Sequence, residues 1–243
     1  MIRFILIVLF LAFYFILSLI LFPLEWLIGK FNKRAKDISS LRLIQWVFKV
    51  ILFISGVKTT VIGYENIPKD EPVLFIGNHR GIFDILITYS RMPNLTGYIS
   101  KKEMIKVPII STWMKLLYCL FLDRDNIKEG LKTILTGIDQ INNGVSMVIF
   151  PEGTRNKEEG LLPFHAGSFK LADKTNCKII PMVQHNTESI FEKQFPRIKA
   201  THTVLEYGKP IDITTLSKEE RRNIAEYTYN AVKEIYEKNK ALV

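Results

Sequence analysis

A histidine and an aspartate stand five positions apart in Ile76-Gly77-Asn78-His79-Arg80-Gly81-Ile82-Phe83-Asp84, directly after the apolar run Val73 to Ile76. An imidazole held by a carboxylate is a ready general base. The carboxylate fixes the tautomer, and the other ring nitrogen is left to take a proton. In continuous helix, five steps of ~100° would leave the two side chains about 140° apart, unable to meet. A tight turn permitted by Gly81 would let Asp84 reach back to the ring. The same residues also fit a capping His at a strand end followed by an N-cap Asp, so the neighbouring stretches decide.

Three of them bear chemistry. In Leu120-Phe121-Leu122-Asp123-Arg124-Asp125 an apolar run breaks into alternating charge. Arg124 could project from that edge toward an anion, since a guanidinium fork matches phosphate geometry; a surface salt-bridge cluster is the alternative. In Phe150-Pro151-Glu152-Gly153-Thr154-Arg155-Asn156, Pro and Gly punctuate a turn after the strand-like Ser146 to Phe150. Open α/β sheets bind ligands at that edge. Gly153 would allow close backbone approach and Arg155 would add a second cation, the alternative being a plain turn with a solvated Arg. No Gly-x4-Gly-Lys-Ser/Thr loop is present. In Ile179-Ile180-Pro181-Met182-Val183, a Pro inside an apolar run demotes it to an edge or distorted strand, which could wall a groove for an alkyl chain.

The elements that must position these residues follow from patterning. A chain of 243 residues with 48% hydrophobic content supports one sizeable core with an appendage. The net charge of +9 suits nucleic acid, an anionic membrane or an acidic substrate. Nucleic acid is disfavoured, because many of the 16 Phe residues fall in the N-terminal apolar segment and are not interleaved with Arg and Lys as stacking platforms. Cys119 and Cys177 form no CxxC, which points to a reducing compartment, and His79, His165, His185 and His202 contain no helical ligand pair, so neither a metal nor a cofactor is expected.

Phe4 to Phe22 is 19 residues without a charge, long enough to be a membrane-spanning candidate. Arg3 resembles the n-region of a signal peptide, but Phe22-Pro23-Leu24-Glu25-Trp26 is too bulky for a cleavage site. A basic loop, Lys30 to Lys36, suits the cytoplasmic face of an anionic membrane. Leu41 to Ser55 is amphipathic, with Arg42, Gln45 and Lys49 on one helical face, and Gly56 ends it. The pair reads as a membrane-anchoring motif over residues 1–57, leaning to a hairpin in one leaflet rather than a span. From residue 58 to 243 short strands alternate with helices, implying an α/β sheet. Expected strands are Thr59–Ile62, Val73–Ile76, Thr96–Ser100, Ser146–Phe150, Lys178–Val183 and Thr203–Tyr207. Expected helices are Phe83–Ser90, Pro108–Leu117, Ile127–Asn142, Ala166–Thr175 and Lys218–Lys238, with loops at Asn156–Leu162 and Asn186–Arg197.

Together, His79-x4-Asp84, Arg124, Phe150-Pro-Glu-Gly-Thr-Arg155 and Pro181 match in order and rough spacing the four blocks of the glycerolipid acyltransferases, and the chain most resembles the bacterial 1-acyl-sn-glycerol-3-phosphate acyltransferases over about residues 58–210. One departure is His165, where family members often carry Lys; a solvated loop His is expected. The resemblance implies an α/β acyltransferase domain with a mixed sheet behind a membrane-associated two-helix motif. It implies His79 and Asp84 as catalytic residues, and Arg124, Arg155 and Lys101 as phosphate ligands, the arginines buried. Asn78, Glu152, Gly153, Thr154 and Pro181 are implied as further substrate-binding positions. The donor would be acyl-CoA or acyl-carrier protein, the acceptor lysophosphatidic acid in an anionic membrane at the cytoplasmic face. With no Gly-x-Ser-x-Gly elbow, the acceptor's own hydroxyl would attack the thioester. Acylation of glycerol 3-phosphate or another lysophospholipid, and a non-catalytic lipid-binding role on the same fold, are the alternatives.

Overall fold

A computed structural model describes all 243 residues. The chain opens with two long helices, α1 (Ile2–Phe31) and α2 (Lys33–Ser55), separated by Asn32 alone. Asn32 leaves helical geometry (φ −150°) and its side chain accepts the Ala35 N–H at 2.9 Å, so it ends one helix and caps the next. The basic cluster expected to be a loop therefore lies almost wholly within helix ends. Gly56, left-handed at φ 69°, terminates α2 as expected.

The hairpin is closed by a buried polar contact. Glu25, 1% exposed, accepts from Ser39 Oγ at 2.6 Å and Ser40 Oγ at 2.9 Å. The amphipathic expectation for α2 is corrected in detail. Gln45 is buried and donates to the carbonyls of Tyr89 and Met92, whereas Trp46 and Phe53 are exposed. A buried amide is stable there because two otherwise orphaned carbonyls receive it.

The remaining elements are β1 (Lys58–Ile62), β2 (Leu74–Gly77), α3 (Phe83–Tyr89), β3 (Thr96–Lys101), α4 (Pro108–Leu116), β4 (Leu120–Leu122), α5 (Ile127–Asn142), β5 (Ser146–Ile149), α6 (Lys170–Thr175), β6 (Ile179–His185), β7 (His202–Tyr207), α7 (Lys218–Arg222) and α8 (Ile224–Asn239). They form one seven-stranded sheet in the order β1-β7-β6-β2-β5-β3-β4. Only β6 and β7 pair antiparallel. Hence β2 to β6 all end on one edge, and β1 and β7 run the other way.

Alternation along the strands supplies two cores. Phe75, Val148, Ile180 and Leu205 face α1 to α4, while Leu74, Ile76, Met147 and Ile179 face α5 and α6. Residues of α1 and α2 thus share a core with the sheet: Ile7 and Tyr14 cluster with Phe75 and Trp113, and the Trp113 indole N–H donates to Ser18 Oγ at 2.9 Å.

Two expectations at the sheet are corrected. The expected set of strands lacks β4, whose three residues are too few to show period-two alternation. And Pro181 lies in a central strand, fully buried between β2 and β7. Its carbonyl accepts from Gly208 N–H at 2.8 Å, and its missing donor falls between the isolated Ile179–Ile211 bridge and the start of the β7 ladder at Met182–Tyr207. A gap in the ladder accommodates the imide, so of the expected edge or distorted strand the edge is corrected and an interrupted central strand is found.

Candidate active site

β2 ends at Gly77, and the next residues turn sharply into the short helix α3. Asp84 sits in the first turn of α3 and points back. Its Oδ2 lies 2.7 Å from His79 Nδ1 and accepts the N–H groups of Arg80 at 2.6 Å and Gly81 at 2.8 Å. Its Oδ1 accepts from Thr187 Oγ1, at the end of β6. Asp84 is wholly buried, so four donors compensate the desolvation of its charge. The contact assigns the proton to His79 Nδ1 and leaves Nε2 free. The imidazole, 17% exposed, lies flat on Phe150 (centroids 4.3 Å apart, 12° between planes). Gly81 makes the turn without left-handed backbone. What it provides is room, since a Cβ there would stand 2.6 Å from Glu192 Oε2.

The turn after β5 touches this base from a second direction. Glu152 Oε1 accepts the His79 N–H at 3.3 Å, and Asn156 N–H donates to the His79 carbonyl at 2.7 Å. Glu152 is 4% exposed, and burial pushes its carboxyl up to about 7. Gly153, left-handed at φ 72°, presents its carbonyl to Arg124 Nη1, which reaches across from the end of β4. A Cβ at Gly153 would stand 2.9 Å from that guanidinium nitrogen and 3.2 Å from the His165 ring. Thr154 and Arg155 follow on the exposed tip, with Arg155 Nη1 3.4 Å from Glu192 Oε1. One seven-residue turn therefore links the His–Asp base to two arginines.

Residues 58–185 match the family model described as Acyltransferase. The chain belongs to the acyltransferase family. A 1-acyl-sn-glycerol-3-phosphate acyltransferase of Borreliella burgdorferi is 30% identical over 176 residues, 72% of this chain and 70% of that one. One from Haemophilus influenzae is 32% identical over 171 residues, 68% of this chain and 70% of the relative. The fold is shared with the crystal structure of the 1-acyl-sn-glycerophosphate acyltransferase PlsC from Thermotoga maritima, at TM-score 0.78 and 24% identity, covering 99% of this chain and 98% of that one.

Within this acyltransferase the expected site residues divide. His79, Asp84, Arg124, Gly153, Thr154 and Arg155 converge at one sheet edge. Lys101, exposed at the end of β3, pairs in register with Leu122, two positions before Arg124. The arginines are exposed rather than buried, Arg155 by 54%. Asn78 is turned away: it is fully buried, donating to the Gln184 carbonyl at 2.9 Å and accepting the Gln184 N–H at 2.8 Å, so it ties β2 to β6 instead of facing a ligand. Glu152 supports the His79 backbone from a buried position, and Pro181 is interior to the sheet. His165 is exposed, yet its ring lies over Gly153 beside Arg124 rather than in open solvent. Thr187, Asn156 and Glu192 carried no local signal, because their partners lie tens of residues away; Phe150 was legible as a strand end and as the first residue of the matched block, but its stacking on His79 was not.

Proposed function

We propose that the chain transfers a fatty acyl group from a thioester, of coenzyme A or acyl-carrier protein, to the sn-2 hydroxyl of lysophosphatidic acid, giving phosphatidic acid. The observation that carries this is the turn at residues 150–156, which contacts His79 through Phe150, Glu152 and Asn156 and Arg124 through Gly153. His79 Nε2 takes the hydroxyl proton while Asp84 stabilises the imidazolium that forms. The oxygen attacks the thioester carbonyl, the C–O bond forms, and collapse breaks the C–S bond. The thiolate then receives the proton from His79. Arg124 and Arg155, with Lys101 at the same edge, hold the acceptor phosphate as charge-assisted donors. The names of the relatives support the same acceptor.

Residues 1–57 serve as the membrane anchor, at the cytoplasmic face by the basic cluster Lys30 to Lys36. Both helices are long and apolar enough to cross a membrane. However, α1 buries residues from Ile7 to Glu25 against the rest of the protein, about 27 Å of helix at 1.5 Å per residue. A helix docked along that length fits a hairpin lying in one leaflet better than a free span.

An acceptor panel tests the assignment. Each charge-assisted hydrogen bond is worth ~1.5–3 kcal/mol, and exposed arginines fall at the lower end, so losing two lowers kcat/KM by about a hundredfold. Lysophosphatidic acid is expected to exceed monoacylglycerol by that factor and to exceed lysophosphatidylcholine, whose cationic head group offsets its phosphate. Arg124→Ala and Arg155→Ala narrow the gap without affecting donor KM. Equal use of monoacylglycerol by the wild type removes the phosphate clamp.

A further inference from the structure

Glu192 lies in the loop between β6 and β7, more than a hundred residues from the His79 turn, yet its carboxylate is wedged into that turn. Oε1 accepts the Ile82 N–H at 2.6 Å and lies 3.4 Å from Arg155 Nη1. Oε2 is buried without a partner, against Gly81. The loop is held in place on several sides. Phe191 stacks on Phe4 of α1 with centroids 5.9 Å apart and meets Phe195 at 5.3 Å, and Lys199 N–H donates to the Ile190 carbonyl at 3.0 Å. Burial raises the Glu192 carboxyl, with Asp84 adding to the rise and the Ile82 N–H and Arg155 opposing it. So a carboxylate oxygen occupies the cation that the proposed acceptor phosphate needs.

We infer that the Glu192 carboxylate is an intramolecular substitute for the ligand phosphate at Arg155, displaced as the acceptor binds and restored as the product leaves. The inference rests on the reading of Arg155 as a phosphate ligand. Acceptor and product carry the same phosphate, so both must break the same ion pair. The pair therefore weakens both by one factor, and an acceptor without a phosphate is untouched. For a membrane enzyme this has a use. Phosphatidic acid stays in the same bilayer as its precursor, and an internal anion that reclaims Arg155 hastens release of the product while leaving its competition with the acceptor unchanged.

Glu192→Gln tests it, because the amide oxygen still accepts the Ile82 N–H while the charge is gone. In mixed micelles at fixed donor, KM for lysophosphatidic acid and the inhibition constant of phosphatidic acid are expected to fall together, by about two- to fivefold as for a part-exposed pair. The kcat/KM for monoacylglycerol stays as in wild type. In an Arg155→Ala background the same substitution has no effect on either constant, which a purely structural role of Glu192 would not produce. Unchanged or weaker phosphate binding in Glu192→Gln, or an effect that persists without Arg155, overturns the inference. If Arg155→Ala impairs every acceptor alike, the phosphate-clamp reading itself has failed. If that clamp survives and Glu192→Gln is silent, only the inference falls.

Discussion

At the scale of single residues the decisive contact is the Asp84 carboxylate, which gathers two backbone N–H groups, one hydroxyl and the His79 ring. His79→Ala is expected to lower kcat by about 10²–10⁴-fold, the range for a lost general base, with the folded state intact by circular dichroism. Asp84→Asn releases the imidazole and lowers kcat as well. Near-normal turnover in folded His79→Ala protein would exclude the mechanism. Glu152 yields a second expectation, this time in stability. Its folded pKa of about 7 lies above the ordinary 4.5, so the native state holds the proton more tightly than the unfolded chain. Stability is then greatest below the unfolded value and declines as pH rises through about 7. At ~1.4 kcal/mol per pKa unit the full decline is about 3 kcal/mol. Urea midpoints between pH 5 and 8 should fall in wild type and flatten in Glu152→Gln; parallel curves would refute the assignment.

At the scale of elements, the turn after β5 does the joining. Gly153→Ala would force a side chain into left-handed backbone, costing ~1–2 kcal/mol, and would push its Cβ against Arg124. The expected result is a raised KM for the acceptor with little change in donor KM. The sequence showed this much of the site because strand, turn and cation are contiguous: His79 to Asp84 and Phe150 to Arg155 each announce themselves within seven residues. Most other elements were legible by period, to within a few residues at their ends. What stayed hidden was non-local. Thr187 meets Asp84 across 103 residues, and Glu192 meets Arg155 across 37. Gln45 looked like a solvent-facing position because an amide bound to two carbonyls has the same helical spacing as one in water. Pro181 left edge and distorted strand equally open because a gap in a ladder is a property of the partner strand.

At the scale of the whole molecule, one helix pair faces two surroundings. α1 leaves Leu9, Phe13, Ile16, Leu19 and Ile20 exposed while its other side packs on the sheet layer. Membrane attachment should therefore survive molar salt, since screening removes the contribution of Lys30 to Lys36 but not ~0.8 kcal/mol per CH₂ inserted. Flotation of vesicle-bound protein before and after a salt wash measures it, and full release of intact chain would refute the anchor. The inner side of the same pair has another consequence. Tyr14, Ser18 and Phe22 close over Trp113, and Gln45 holds the end of α3. A chain trimmed to begin at Lys58 would bare the Trp113 indole, the Tyr89 ring that Phe48 covers and two carbonyls in a single cut. A fragment trimmed in this way is expected to aggregate in water, and a foreign anchor grafted in its place would have to supply new partners for the indole and for the carbonyls of Tyr89 and Met92.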